Sequence, residues 1–206
     1  VIDALFEING AYALVGIAND KLIGVRDPLG IRPLVLGKLN ESYIFASETC
    51  ALDIIGAKFV REVENGEVVV ISADGIKSFK PFPEKPERPC IFEYIYFARP
   101  DSIVGGKSIY ECRKGFGREL AKESNAKADM VIPIPDSGVP SAIGYAEQAG
   151  IPFELGITRN HYVGRTFIQP KQSIRSFGVR LKHNANRTLV AGKRIILIDD
   201  SIVRGT

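Results

Sequence analysis

Proline stands at positions 81, 83, 86 and 89, in the stretch PFPEKPERP, and this stretch limits the possible folds more than any other feature of the 206-residue sequence. Each proline fixes its own φ and lacks an N–H donor, so the stretch fits neither a helix interior nor a central strand and reads as a stiff connector. It separates two grammars. Before it, residues 11–80 read as short strands, AYALVGIA, KLIGV, LVLGKL, SYIFAS, EVVVIS and GIKSFK, punctuated by the turn signals ND, DPLG, LNES, ENG and ADG. This predicts an antiparallel, hairpin-rich α+β region with one helix over ETCALDIIGAKF, where Ser47 is the N-cap and Glu48 lies in the first turn. After it, strand and helix alternate. A buried strand over 129–135 (DMVIPIP), a helix over 137–148 stopped by Gly150 and a second strand over 151–157 make one βαβ unit of an α/β region. The expected domains are therefore 1–83 and 84–206.

The α/β region ends on IILIDDSIVRGT, residues 195–206. Its four consecutive apolar residues fit a central parallel strand covered on both faces, and open α/β sheets bind ligands at the carboxyl ends of such strands. There Asp199 and Asp200 can accept hydrogen bonds from vicinal ribose hydroxyls or hold Mg²⁺ through its waters. Ser201, Gly205 and Thr206 are small or hydroxyl-bearing, which lets backbone N–H groups close around a phosphate at a helix N-terminus. The bland alternative is a strand that ends in two solvated aspartates. The ordered run of features favours a site that reads sugar and phosphate side by side.

PIPDSG, residues 133–138, ends the preceding strand and has two open readings. Ser137 and the amides around Gly138 can cradle a diphosphate, or Asp136 or Ser137 simply caps the helix. From Leu155 to Ile198 there is no acidic residue, whereas Arg159, Arg165, Lys171, Arg175, Arg180, Lys182, Arg187, Lys193 and Arg194 are basic. The polar stretch 159–186 shows little periodicity and reads as a cover loop over a polyanion, with nucleic acid as the rival ligand. His161 and His183 lie in that stretch with no carboxylate near them in sequence, so they are given no chemistry beyond phosphate contact.

Apolar runs fall far short of the roughly 20 residues that span a bilayer, and no signal pattern opens the chain, so a cytoplasmic location is expected. Cys50, Cys90 and Cys112 are odd in number and widely spaced, which argues against a disulfide framework and against a self-contained zinc site. The chain starts at Val1 and stops at Thr206 in the turn after a buried strand, and is read as an internal piece of a longer protein.

Several blocks together resemble the amidophosphoribosyltransferase family: RDPLGIRPL (26–34), ASETCALD (46–53), EYIYFARPDS (93–102), NHYVGRTFIQP (160–170) and the terminal motif. The resemblance implies the later part of an αββα N-terminal-nucleophile glutaminase domain, followed by the start of a type I phosphoribosyltransferase α/β domain. It implies a glycosyltransferase of purine biosynthesis with glutamine and phosphoribosyl pyrophosphate as partners, no nucleic acid or membrane, and a homo-oligomeric full-length protein. By position, Asp199 and Asp200 would bind ribose and Mg²⁺, with Ser137 the third metal-associated residue. Ser201 would join the substrate contacts, and Val203, Arg204, Gly205 and Thr206 would wrap the 5′-phosphate. YVGRTF would be a loop folding over substrate, with Arg159, Tyr162 and Arg165 facing the site; the family often has lysine at the position of Arg159. Tyr96 and its aromatic neighbours would belong to an ammonia passage, whereas RDPLGIRPL and ASETCALD look structural. Cys90 matches the first ligand of a 4Fe–4S cluster found in some members, and cluster-free members also carry cysteine there, so both states stay open. The family's nucleophilic amino-terminal cysteine has no counterpart in these residues, so no catalytic glutaminase residue is expected. The alternative function is a non-catalytic regulator that binds nucleotides or RNA on a phosphoribosyltransferase fold.

Overall fold

In a computed structural model the described residues are 1–124, 126–162 and 172–202, with the side chains of 172–176 left aside. The chain forms two compact units, Val1–Ile109 and Tyr110–Thr206.

The first unit runs α1 (Ile2–Phe6), β1 (Ala13–Ala18), β2 (Lys21–Arg26), β3 (Val35–Leu39), β4 (Ser42–Ala46), α2 (Thr49–Ile54), β5 (Lys58–Glu62), β6 (Val68–Ser72) and β7 (Gly75–Phe79). A π-helical turn, Glu93–Phe97, and the short pair β8 (Ile103–Val104) and β9 (Lys107–Ser108) follow. Two antiparallel sheets result, ordered β1-β2-β6-β7 and β4-β3-β5. The β1–β2 hairpin turns on Asn19 and Asp20, both at positive φ (47° and 59°), in a two-residue turn that matches strand twist.

Alternation along the strands stacks the layers. Val68 and Val70 pack with Leu5 of α1, whereas Val69 and Ile71 pack with Leu34, Val63 and Phe45 on the side of the second sheet. Gly24 permits this close approach, since a Cβ there would lie 2.5 Å from the Phe45 ring. Leu52 of α2 packs on Val35 and Ile44, covering the other face of the second sheet. The order is helix, sheet, sheet, helix.

The expected helix over ETCALDIIGAKF is shorter than the sequence pattern predicts. It ends at Ile54; Gly56 follows at φ 70°, and KFVRE becomes β5, paired with β3. Its N-cap is Glu48 instead of Ser47, with no side-chain cap bond. The proline connector packs along the 29–31 turn, where Arg88 N–H donates to the Leu29 carbonyl (2.8 Å) and Cys90 N–H to that of Ile31 (3.1 Å). The compact units accordingly divide after Ile109, beyond the connector itself.

The second unit contains α3 (Ile109–Glu123, its first residue shared with the first unit), β10 (Met130–Pro133), α4 (Val139–Ala149) and β11 (Ile157–Arg159). Then come α5 (Gln172–Lys182), β12 (His183–Ala185), α6 (Arg187–Val190) and β13 (Ile195–Ile198). β10 and β13 pair in parallel, and Val131 and Ile198 from them form the core with Ala142, Tyr145 and Ala146 of α4. Gly150, left-handed at φ 65°, ends α4 as the sequence predicts.

Two sequence expectations change in this unit. The strand over 151–157 reduces to a single bridge, Val131 to Phe153; beyond Gly156 the chain turns into β11, which pairs antiparallel with β12. The stretch 159–186 is not wholly loop, because α5 and β12 occupy its second half. Ile174, Phe177 and Leu181, spaced i, i+3 and i+7, supply a helical period that the surrounding basic residues obscured. No described helix is long and apolar enough to cross a membrane.

Candidate functional site

The parallel register of β10 and β13 sets Pro133 opposite Ile198, and Ile134 N–H donates to the Ile198 carbonyl at 2.8 Å. The loop of PIPDSG and the DDS run therefore leave the sheet at the same edge, at the carboxyl ends of both strands. Gly138 is buried there: a Cβ on it would lie 2.5 Å from the Ile198 carbonyl oxygen and 2.9 Å from that of Ile134. Gly138 is also the N-cap of α4, with no side-chain cap bond. Neither Asp136 nor Ser137 caps the helix, which removes the capping reading of this loop.

Asp136 instead pairs with Arg159, whose Nη1 donates to Oδ2. Arg159 ends β11 and stands directly opposite His183 on β12. The His183 ring bonds to the Pro135 carbonyl; burial pushes its pKa down, Lys182 and Arg159 add to this, and the Pro135 bond and Asp199 oppose it. Asp199 behaves in the opposite way for the same first reason. Burial pushes its carboxyl above the usual range, and the Asp200 charge adds to that, while the Asp200 N–H (2.8 Å to Oδ1) and His183 draw it back. Asp200 Oδ1 accepts from the Ser201 hydroxyl.

Of the residues singled out in the sequence, Ser137, Arg159, Asp199, Asp200 and Ser201 thus gather around the ends of β10 and β13. Tyr162 is fully exposed (100%), its N–H bonded to Asn160 Oδ1 at 3.0 Å. Arg165, Val203, Arg204, Gly205 and Thr206 lie outside the described residues. Cys90 belongs to the first unit and is a free, half-buried thiol. Among the described residues no group of three His, Cys, Asp or Glu is placed to hold a metal on its own. Asp136 and His183 were not picked out as site residues. Only the antiparallel register of two three-residue strands brings His183 against Arg159, and no sequence pattern announces a pairing that short.

Known proteins match this arrangement closely. A glutamine amidotransferase domain model matches residues 1–53. An amidophosphoribosyltransferase of Rhizobium etli is 60% identical over 100% of this chain and 42% of its own length. The chain is a homologue of the amidophosphoribosyltransferases. Amidophosphoribosyltransferase 1, chloroplastic, of Arabidopsis thaliana is 54% identical, again over 100% of this chain and 37% of its own. The solved glutamine phosphoribosylpyrophosphate amidotransferase from B. subtilis, complexed with ADP and GMP, superposes with a TM-score of 0.89 at 48% identity, over 98% of this chain and 45% of that one. The chain thus spans about two fifths of the length of the amidophosphoribosyltransferases it matches.

Two of the blocks behind the resemblance to amidophosphoribosyltransferases are structural in the first unit. In RDPLGIRPL, Arg26 donates to the carbonyls of Arg32 (2.9 Å), Val63 (2.9 Å) and Gly30 (3.1 Å), and Asp27 accepts from the N–H groups of Leu29 and Ile31. In ASETCALD, Glu48 accepts from Arg99 N–H and the Ser102 hydroxyl, and Thr49 accepts from Ile103 N–H. In EYIYFARPDS, Tyr96 and Phe97 are exposed, with Phe97 ringed by Phe92 (5.9 Å), Tyr96 (6.0 Å) and the Arg32 guanidinium (4.8 Å).

Proposed function

We propose that the chain is part of an amidophosphoribosyltransferase, a glycosyltransferase that moves ammonia from glutamine onto phosphoribosyl pyrophosphate to give phosphoribosylamine at the start of purine biosynthesis. The observation that carries this reading is the convergence of PIPDSG and Asp199–Asp200–Ser201 at the carboxyl ends of two paired parallel strands. In family terms residues 1–83 are the later part of the αββα glutaminase domain, and 84–206 are the start of the type I phosphoribosyltransferase domain. Glutamine and phosphoribosyl pyrophosphate are its partners, the full-length protein is a cytoplasmic homo-oligomer, and Tyr96 belongs to the ammonia passage.

At the second site the nitrogen of ammonia forms a bond to C1 of the ribose while the C1–O bond breaks. Pyrophosphate leaves with the electron pair, and the surplus proton passes to solvent. Asp199 and Asp200 accept from the ribose hydroxyls, the amides around Ser137 and Gly138 cradle the diphosphate, and Arg159 supplies positive charge beside it. Arg165, Tyr162 and residues 203–206 complete the substrate contacts. The two adjacent carboxylates, with Ser137 nearby, fit Mg²⁺, which is held through one or two carboxylates and substrate phosphates instead of an all-protein cage. Such an ion would supply positive charge against the charge that builds up on the departing pyrophosphate. Cys90 remains a candidate ligand for an iron–sulfur cluster in the full-length protein. It has no companion ligands among the described residues, and no step here depends on it.

The test is pyrophosphate release by the full-length protein from phosphoribosyl pyrophosphate with ammonia. Asp200→Asn is expected to lower turnover by about a hundredfold or more, in line with the loss of one preorganised electrostatic contact. Unchanged turnover in that variant would sink the assignment. Binding that ignores Mg²⁺ and falls steeply with salt would point to an RNA-binding regulator instead.

A further inference from the structure

The antiparallel β11–β12 pair is fastened to the loop of PIPDSG at two successive residues: His183 bonds to the Pro135 carbonyl, and Arg159 pairs with Asp136. Within that fastening two buried nitrogens have no partner among the described residues, Arg159 Nε and His183 Nε2. Their side chains spring from directly opposed residues of the antiparallel pair, where Cβ atoms stand about 4.5–5.5 Å apart. The two groups are also chemically complementary. Arg159 Nε carries a hydrogen it can only donate. With the other ring nitrogen turned to the Pro135 carbonyl, a neutral imidazole presents its lone pair at Nε2, and burial lowers the ring's pKa in favour of that neutral form. A buried donor and a buried acceptor left unpaired on opposed residues are each costly, and a bond between them, direct or through one bridging water, would satisfy both.

We propose that His183 is a positioning residue for Arg159: its imidazole, anchored on the Pro135 carbonyl, accepts the Arg159 Nε–H and fixes the guanidinium beside the anion held by the PIPDSG loop. The chain of contacts runs from the Pro135 carbonyl through the imidazole and the guanidinium to the Asp136 carboxylate. It begins and ends on neighbouring residues of the loop that carries Ser137. Arg159 without this support keeps its charge but loses its orientation, and a planar fork depends on orientation to meet phosphate oxygens. The inference rests on reading the strand ends as a phosphoribosyl pyrophosphate site.

The experiment measures pyrophosphate release by the full-length protein with ammonia as the nitrogen donor, so that glutamine hydrolysis does not enter. His183→Leu is expected to raise KM for phosphoribosyl pyrophosphate about tenfold, the worth of one hydrogen bond to a charged group, with kcat within roughly twofold. His183→Gln, whose amide keeps an acceptor near the Nε2 position, should recover most of the loss. Arg159→Lys removes the Nε–H, so in that background His183→Leu should add nothing. The same tenfold effect in the Arg159→Lys background, or an unchanged KM in a His183→Leu variant with native unfolding midpoint, overturns the proposal. Should His183→Leu fail to fold, His183→Gln with and without Arg159→Lys gives the same comparison: a KM rise of equal size in both backgrounds overturns the proposal, and near-wild-type KM with a native midpoint supports it. A wild-type protein that releases no pyrophosphate overturns the underlying reading instead, whatever the variants do.

Discussion

Arg26 and Asp27 are buried, 6% and 0% exposed; backbone groups engage both side chains, and Glu62 also pairs with Arg26. Three carbonyls accept from the Arg26 guanidinium, and two N–H groups donate to the Asp27 carboxylate. Arg159 and Asp136 are also an arginine and an aspartate, joined here between the end of β11 and the loop after β10, yet this pair is more exposed, at 31% and 61% of the side chains, and the arginine Nε has no partner among the described residues. On the opposed strand His183 Nε2 is also unpaired among the described residues, and the Asp199 carboxyl is raised from its ordinary value. The same residue types thus do two jobs. Where every polar atom is satisfied inside the chain, the group serves the fold; where donors and charges are left over at a strand end, the arrangement is ready for something the chain does not itself contain.

The sharpest way to break this contrast is Asp27→Ala. It leaves two partly buried N–H groups without their acceptor, each worth at most the roughly 1–3 kcal/mol of a fully buried one, so urea unfolding of the full-length protein should show a loss of about 2–4 kcal/mol. Turnover should fall only as far as the folded fraction falls. A midpoint unchanged from wild type would mean that the turn at 26–31 is not held as described.

Gly138→Ala attacks the other region by a different route. The added methyl meets the backbone carbonyls of Ile198 and Ile134, at 2.5 and 2.9 Å, and neither can swing aside as a side chain would. Separating the strand ends should cost about 1–3 kcal/mol of stability. Activity should suffer more, about a hundredfold, because a shift of about 1 Å between loop and strand end misplaces the reacting groups. Equal losses of stability and activity would show that the loop position is irrelevant to turnover.

The two regions also differ in how far the sequence discloses them. The hairpins β1–β2, β3–β4 and β6–β7 were legible because strand alternation and turn residues such as Asn19 and Asp20 are local signals. The apolar run IILI and its DDS ending were legible for the same reason. β5 was not, because KFVRE follows a helix without a proline break and owes its strand state to pairing with β3. α5 was hidden by the expectation that a basic stretch is loop. The approach of His183 to Arg159 depends on a register between residues 24 apart, and the freedom of Asp136 and Ser137 from capping depends on α4 starting at Gly138. These are tertiary facts, set by a strand pairing distant in sequence and by where α4 is capped, and neither propensity nor motif encodes them.

The smallest change in stability expected is also the one that most directly tests which region serves the fold. Glu67, in the first unit, is buried, which alone raises its pKa, but hydrogen bonds from Arg61, Ser78 and the Glu64 N–H outweigh this and hold it below the usual value. A depressed folded pKa means stability that is present above the unfolded value and lost as pH falls through the folded one. Asp199 has the opposite sign. Burial and Asp200 raise its folded pKa above 3.8, so its contribution is favourable only below the unfolded value and disappears as pH rises through the folded value. At neutral pH the ionised Asp199 is therefore a cost to the fold. Asp199→Asn should leave the unfolding midpoint of the Mg²⁺-free full-length protein slightly higher at pH 7 than wild type, with the gap closing below about pH 4, while pyrophosphate release is lost. Glu67→Gln should do the reverse, lowering the midpoint at pH 7 and leaving turnover per folded molecule unchanged. A drop in midpoint for Asp199→Asn at pH 7 would place Asp199 with Asp27 among the groups that hold the chain together, and the distinction between the two regions would fail at its most exposed point.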